Sequence, residues 1–250
     1  MNAAVVVDVG NTRIKWGRCK TERVEEVAFL PPEPDAWARQ LEQWQLPPAA
    51  PWVVSGVHPG RCALLADWLR QRGMAVTLLN QPQDLPLTVR LELPERAGID
   101  RLLNAVAVNT RRKPGVPAVI VDAGSAVTVD WLDETGAFCG GAILPGLRLM
   151  ARALHDYTAL LPRIQLHEAP PPRPGTSTTA ALEVGVFWSV AATIRTLASE
   201  FAQGWPDLPQ AELYLAGGDG PLLHAAVGLE AILWPEITLE GVRVSAARRA

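Results

Sequence analysis

Asp8-Val9-Gly10-Asn11-Thr12 is the first stretch whose residue types and spacing fit chemistry. Three valines, Val5-Val6-Val7, lead straight into a carboxylate, a glycine and two short polar side chains. A strand of consecutive valines is buried on both faces. An unpaired carboxylate at its end is costly to bury. Gly10 permits a tight turn and lets a ligand approach the backbone. The arrangement suits a phosphate held by backbone amides, with Asp8 able to hold Mg2+ directly or through water. An ordinary Asx turn capping a hairpin uses the same residue types.

The junction recurs. Ala118-Val119-Ile120-Val121 runs into Asp122-Ala123-Gly124-Ser125. Ala4, Val5, Val7, Asp8 and Gly10 match Ala118, Val119, Val121, Asp122 and Gly124 at an offset of 114 residues, about half the chain. This reads as an internal duplication of an α/β domain. Two facing turns of this kind would clamp the phosphates of one nucleotide between two domains. A third glycine element, Gly217-Gly218-Asp219-Gly220, follows the strand-like Glu212–Ala216. It is either a simple turn or a surface against which an adenine or ribose packs. Neither GxGxxG nor GxxxxGK[ST] occurs, so Rossmann and Walker-type readings fail. Asp100-Arg101 opens a predicted helix, where an acidic residue suits the dipole on structural grounds alone.

Proline punctuates the chain around these groups. Breaks fall at Pro31, Pro32 and Pro34, at Pro47, Pro48 and Pro51, and at Pro170, Pro171, Pro172 and Pro174. Residues 3–29 read as hairpin-connected strands. Trp37, Leu41 and Trp44 at helical spacing predict a helix over 35–45. Residues 52–55 and 76–79 predict strands. A helix is expected over 61–72, with Leu64, Leu65, Trp68 and Leu69 on one face and Gly73 at its end. Another is expected over 100–110.

The composition sets bounds. The chain has 250 residues, 48% hydrophobic and 20% charged, with a net charge of −3. This permits a sizeable core and carries no basic block for nucleic acid. Cys19, Cys62 and Cys139 are odd in number and lack CxxC spacing, so neither a disulfide framework nor a zinc site is expected. His58, His155, His167 and His224 show no ligand spacing. No signal peptide and no apolar run near the ~20 residues of a membrane span is read. The expectation is a cytoplasmic protein without nucleic-acid or membrane partners.

Taken in order, the elements resemble the acetate kinase–sugar kinase–Hsp70–actin superfamily. That resemblance implies an α/β fold of duplicated ribonuclease H-like (actin-like ATPase) domains, mixed sheets with helices and a nucleotide in the inter-domain cleft. The expected division is 1–115 and 116–250. The finer motifs are similar to those of the type III pantothenate kinases: Gly98-Ile99-Asp100-Arg101, DAGSAVTVD over 122–130, GGAILPGL over 140–147, LHDYTALLP over 154–162 and TTAALEVG over 178–185. The resemblance implies ATP-dependent phosphorylation of pantothenate to 4′-phosphopantothenate, the first step towards coenzyme A.

It also implies roles. Asp8, Val9, Gly10, Asn11, Thr12, Arg13, Ile14 and Lys15 would form the first phosphate loop, with Asp8 organising Mg2+. Asp100 would be the general base. Gly98, Ile99, Arg101 and Thr178 would hold pantothenate. Asp122 would bind a monovalent cation, K+ or NH4+. Ser125 would contact ATP phosphate, and Gly217 and Gly218 would line the nucleotide. A homodimer is implied, with nine tryptophans as apolar contact material.

Phosphoryl transfer needs positioning and charge neutralisation more than covalent help. An arginine fork suits the carboxylate of pantothenate. Three positions depart from the family pattern. Leu91 stands where the family has a tyrosine near pantothenate, Ala97 replaces a leucine, and Ser125 replaces a threonine. The loss of a phenol at Leu91 bears on substrate affinity more than on reaction type. Two other readings remain: a superfamily kinase acting on a sugar or polyol, and a catalytically weak regulatory homologue.

Overall fold

The computed structural model describes residues 3–20, 22–47, 49–203 and 211–248. Two five-stranded mixed sheets carry the fold, and they share one topology. The first has the order β3 (Arg23–Leu30), β2 (Ile14–Lys20), β1 (Val5–Val9), β4 (Pro51–Gly56), β5 (Ala75–Leu78), and the second β10 (Ile232–Leu233), β9 (Glu212–Ala216), β6 (Ala118–Ala123), β7 (Ala126–Leu132), β8 (Phe138–Pro145). Read from β8, the second is the first repeated: two antiparallel pairings, then two parallel ones. The central strands are β1 (Val5–Val9) and β6 (Ala118–Ala123), the two strands that the sequence repeat aligns.

The chain divides into two compact units, Met1–Arg111 with Glu236–Ala250, and Arg112–Pro235. This departs from the expected division at 115/116. The last helix, α7 (Ile237–Arg248), belongs with the first unit because it packs on α3 (Ile99–Val108). Nothing in a sequence read by halves assigns a terminal helix to the opposite half.

In the first unit β1 pairs antiparallel with β2 (Ile14–Lys20) and β2 with β3 (Arg23–Leu30). On the other side β1 runs parallel to β4 (Pro51–Gly56), and β4 to β5 (Ala75–Leu78). Side chains alternate between faces. Val5, Val7 and Val9 therefore join Ile14, Trp16, Trp52 and Val54 on one face, under α1 (Pro34–Trp44) and α2 (Pro59–Arg70). Trp16 and Trp52 meet edge to face with centroids 4.8 Å apart, a favoured aromatic geometry. Val6 and Asp8 take the opposite face, where Val6 and Leu239 of α7 close over Gly17.

Within α2 the buried stripe is Cys62, Leu65, Ala66 and Leu69 with Trp68. Leu64, expected on that face, is exposed. The tryptophans also differ from expectation. Trp16, Trp37, Trp44, Trp52 and Trp68 lie in this first core, and Trp131 and Trp234 are buried in the second unit. These seven are core residues, and Trp188 is half-buried. Trp205 and Pro48 lie outside the described residues.

In the second unit β6 pairs with β7 (Ala126–Leu132), β7 with β8 (Phe138–Pro145), and β6 with β9 (Glu212–Ala216), followed by the short β10 (Ile232–Leu233). Val119, Val121, Ala123, Val127 and Val129 face a core closed by α4 (Leu147–Asp156), α5 (Thr178–Gln203) and α6 (Gly220–Val227). Asp122, Thr128, Asp130 and Tyr214 share the other face by register. Among the described residues one helix, Thr178–Ala202 within α5, is long and apolar enough to cross a membrane by length and composition. This differs from the expectation of no apolar run near the length of a membrane span. Val186, Phe187, Val190, Ala191, Ile194 and Ala198 of this helix pack into the sheet core.

Candidate active site

The first glycine turn is built at the end of β1. Gly10 N donates to Arg13 O at 3.2 Å, closing the turn. Asp8 of β1 pairs directly with Lys15 of β2, whose Nζ is 3.5 Å from Asp8 Oδ2. Asp8 is buried, so this ammonium offsets a carboxylate that would otherwise be costly to hold there. Arg61, in the first turn of α2, reaches back: its Nη1 donates to Asn11 O at 2.6 Å and to Gly10 O at 3.4 Å. An arginine that takes the carbonyls of a turn orients its peptide dipoles and brings positive charge beside it. His58 caps the same helix, its Nδ1 accepting from Arg61 N at 3.3 Å. Asn11, Thr12 and Arg13 are exposed, whereas the side chains of Val9 and Ile14 lie in the core. Those two residues have only backbone to offer a ligand.

Beneath this turn lies Cys62, fully buried. Its thiol is pushed up to about 11, by burial first and then by the Asp8 carboxylate. Cys19 is pushed up to about 12, chiefly by burial. Only the thiolate is a nucleophile. Iodoacetamide at pH 8 is therefore expected to leave both unmodified in the folded protein and to label both after denaturation. Peptide mass mapping reads this, and rapid native labelling of Cys62 would contradict its placement.

Asp100 sits in the first turn of α3 behind Gly98. Its Oδ1 accepts from Arg101 N at 2.8 Å. A Cβ at residue 98 would stand 2.6 Å from Asp100 Oδ1, so glycine there leaves room for this carboxylate rotamer. Ile99 is buried and anchors the turn, while Asp100 and Arg101 are half-buried.

In the second unit Asp122 occupies the position of Asp8 in the repeated topology. Its cross-strand partner differs: Thr128 stands where the first unit has Lys15. Thr128 Oγ1 is buried and has no hydrogen-bond partner among the described residues. A carboxylate beside an unsatisfied hydroxyl oxygen is a hard-oxygen donor set, of the kind that suits an alkali-type cation. No group of three or more His, Cys, Asp or Glu side chains able to hold a metal occurs among the described residues.

Ser125 is exposed at the tip of the β6–β7 turn, and its carbonyl accepts from Gly146 N at 3.1 Å. Gly217 and Gly218 follow β9. Gly217 has φ +85°, and a Cβ there would overlap the backbone of Ala123. Thr178 is exposed at the start of α5, where Ser177 Oγ accepts from Ala180 N at 3.2 Å. Thus the structure gathers 8–15 with Arg61 in one turn, 98–101 in another, and 122–125 with 217–218 in a third. Arg61, Thr128 and Arg148, the last in the first turn of α4, are not among the residues that the motifs single out. Thr128 lies inside the DAGSAVTVD motif, which gives no sign that it faces Asp122.

The type III pantothenate kinase family model matches residues 4–200. The chain belongs to the type III pantothenate kinase family. A type III pantothenate kinase of Synechococcus sp. (strain JA-2-3B'a(2-13)) is 34% identical over 248 residues, covering 94% of this chain and 85% of the relative. One from Rubrobacter xylanophilus is 34% identical over 263 residues, covering 98% of both. This pantothenate kinase is thus a phosphotransferase.

Solved structures resemble it in fold alone. The activator of 2-hydroxyisocaproyl-CoA dehydratase from Clostridium difficile, with bound ADPNP, has a TM-score of 0.53 at 14% identity, covering 98% of this chain and 94% of that one. Component A of (R)-2-hydroxyglutaryl-CoA dehydratase from Acidaminococcus fermentans has a TM-score of 0.53 at 15% identity, covering 98% and 96%. The duplicated actin-like ATPase architecture read from the sequence is the fold of the pantothenate kinase.

Proposed function

We propose that this pantothenate kinase phosphorylates the primary hydroxyl of pantothenate with ATP, giving 4′-phosphopantothenate, and that Asp100 accepts the hydroxyl proton. The observation that carries the reading is Asp100 itself, a half-buried carboxylate in a helix first turn whose glycine neighbour leaves its rotamer unobstructed. An alcohol is a poor nucleophile, and a carboxylate within hydrogen-bond reach assists its attack. Arg101 offers a two-oxygen fork to the pantothenate carboxylate. Gly98 and Ile99 shape the same turn, and Thr178 adds a hydroxyl. Leu91 presents an aliphatic side chain where the family has a phenol.

Residues 8–15 and Ser125 are assigned to ATP phosphates, and Gly217 and Gly218 to the nucleoside. Lys15 and Arg61 bring the positive charge that phosphates require in a partly buried turn. Asp8 is the carboxylate for Mg2+, directly or through water. Asp122 with Thr128 Oγ1 is assigned to a monovalent cation, K+ or NH4+. When bound, these cations neutralise charge on the transferring phosphoryl group.

A homodimer belongs to the same proposal. Ile143, Leu149, Tyr157 and Leu160, exposed on β8, α4 and the loop after α4, are its apolar contact candidates, and sedimentation velocity checks it. The cytoplasm, where ATP is available, is the assigned compartment.

The cation assignment is tested by assaying with K+ and then with tetramethylammonium in its place. The expected result is K+-dependent turnover in the wild type and a low rate in Asp122→Asn that K+ no longer restores. Equal rates with both cations would remove Asp122 from this role. A substrate panel of pantothenate, sugars and polyols separates this kinase from a sugar kinase of the same fold. Turnover of a sugar with none of pantothenate would overturn the substrate.

A further inference from the structure

Three loops of the second unit meet, and two of the three junctions are backbone. The Gly217-Gly218-Asp219-Gly220 turn rests on the 122–125 turn: Asp219 N donates to Ala123 O at 2.9 Å, and Gly217 lies against the Ala123 peptide. The Pro145-Gly146-Leu147 turn rests on it as well, through Gly146 N to Ser125 O at 3.1 Å. A Cβ at Gly146 would overlap the carbonyls of Gly124 and Ser125.

The third junction is made by side chains alone. Arg148 Nη1, from the first turn of α4, lies 2.7 Å from Asp219 Oδ1 and 2.9 Å from Oδ2. Asp219 is 5% exposed at its side chain and Arg148 is 72% exposed. A buried carboxylate at the glycine turn thus has its charge met by one largely solvated arginine.

We propose that Arg148 is a positioning residue for ATP binding. It acts through Asp219, cancelling a buried negative charge beside the nucleotide turn and tying that turn to α4. The inference rests on the assignment of Gly217 and Gly218 to the nucleotide. Without Arg148 the Asp219 carboxylate would repel an incoming polyphosphate and lose the contact that closes the three-loop triangle. Removing one partner of a buried charge costs more than the pair itself contributes. The solvation of Arg148 moderates that cost.

The test compares Arg148→Ala, Arg148→Lys, Asp219→Asn and the double variant Arg148→Ala/Asp219→Asn. The readouts are KM for ATP, KM for pantothenate, kcat, calorimetric Mg-ATP affinity and thermal midpoint. Arg148→Ala should raise KM for ATP by about tenfold with little change in kcat or in KM for pantothenate. Arg148→Lys should fall between it and wild type, because a lysine keeps the charge without the fork. The double variant should recover most of the lost ATP affinity, because a neutral amide in place of the Asp219 carboxylate leaves nothing to cancel.

A merely structural role would lower the thermal midpoint and leave KM for ATP unmoved. That result, or a double variant as weak as Arg148→Ala, would overturn the inference while leaving the kinase reading intact. A Gly217→Val variant that binds Mg-ATP as tightly as wild type would overturn the nucleotide assignment beneath it, and the inference with it.

Discussion

Asp100→Asn should lower kcat by about 10²–10⁴-fold while leaving the affinities for ATP and pantothenate within a few-fold of wild type. Asparagine has nearly the size and shape of aspartate, and its amide oxygen can still accept from Arg101 N as Oδ1 does at 2.8 Å. The turn in front of α3 should therefore survive. What is lost is the basic oxygen. An interaction used only in the transition state appears in kcat rather than in binding. Single-turnover kinetics with separately measured affinities checks this. A kcat within about threefold of wild type would deny Asp100 its role as base. A large loss of pantothenate affinity with unchanged kcat would make it a binding residue instead.

Gly241→Ala should destabilise the first unit by about 3 kcal/mol. Gly241 lies on α7 against α3, and a Cβ there would overlap the Leu103 carbonyl, with Leu103 Cα only 3.0 Å away. The obstacle is backbone, so no rotamer change relieves it. Nor can α7 easily slide, because it is pinned at Glu240. One carboxylate oxygen of Glu240 accepts from Val24 N of β3 at 2.8 Å, while the other accepts from Arg243 Nε of the same helix at 2.7 Å, which offsets the buried charge. Moving α7 also withdraws buried Ile237, Leu239, Val242 and Ala246. The urea midpoint should fall by about 1 M. Because α3 begins at the Asp100 turn, activity should fail at lower temperature than in wild type. An unchanged midpoint would mean that α7 does not dock on α3 in this way.

Much of this architecture was legible in the residues. β1 and β6 are visible as apolar runs that each end in Asp-x-Gly, and their repetition half a chain apart marks the duplication. The helix over Pro34–Trp44 followed from tryptophans at helical spacing, and β9 from Glu212–Ala216. α7 was not legible. Its attachment to the first unit depends on Gly241 and Glu240 meeting Leu103 and Val24 across most of the chain, and no local pattern encodes such a contact. Leu64 misled because an apolar residue can occupy the rim of a helix stripe at modest cost. The number of tryptophans did not say where they lie, and seven of them are buried in the two units.

The site was legible in its turns and illegible in their supports. Asp8, Asp100 and Asp122 stand in motifs. Arg61 and Arg148 reach their turns from the first turns of separate helices, a geometry set by helix docking. The difference between Asp8 and Asp122 is likewise tertiary. Lys15 faces the first and Thr128 the second, and only strand register identifies those partners.

The most direct test of the central claim is the mass of the product. Purified protein is incubated with Mg-ATP, K+ and pantothenate, and the mixture is read by mass spectrometry beside the Asp100→Asn variant. The expected result is 4′-phosphopantothenate in step with ADP from the wild type, and very little from the variant. ATP bound but pantothenate left unphosphorylated at high concentration would contradict it, and would direct attention to Leu91.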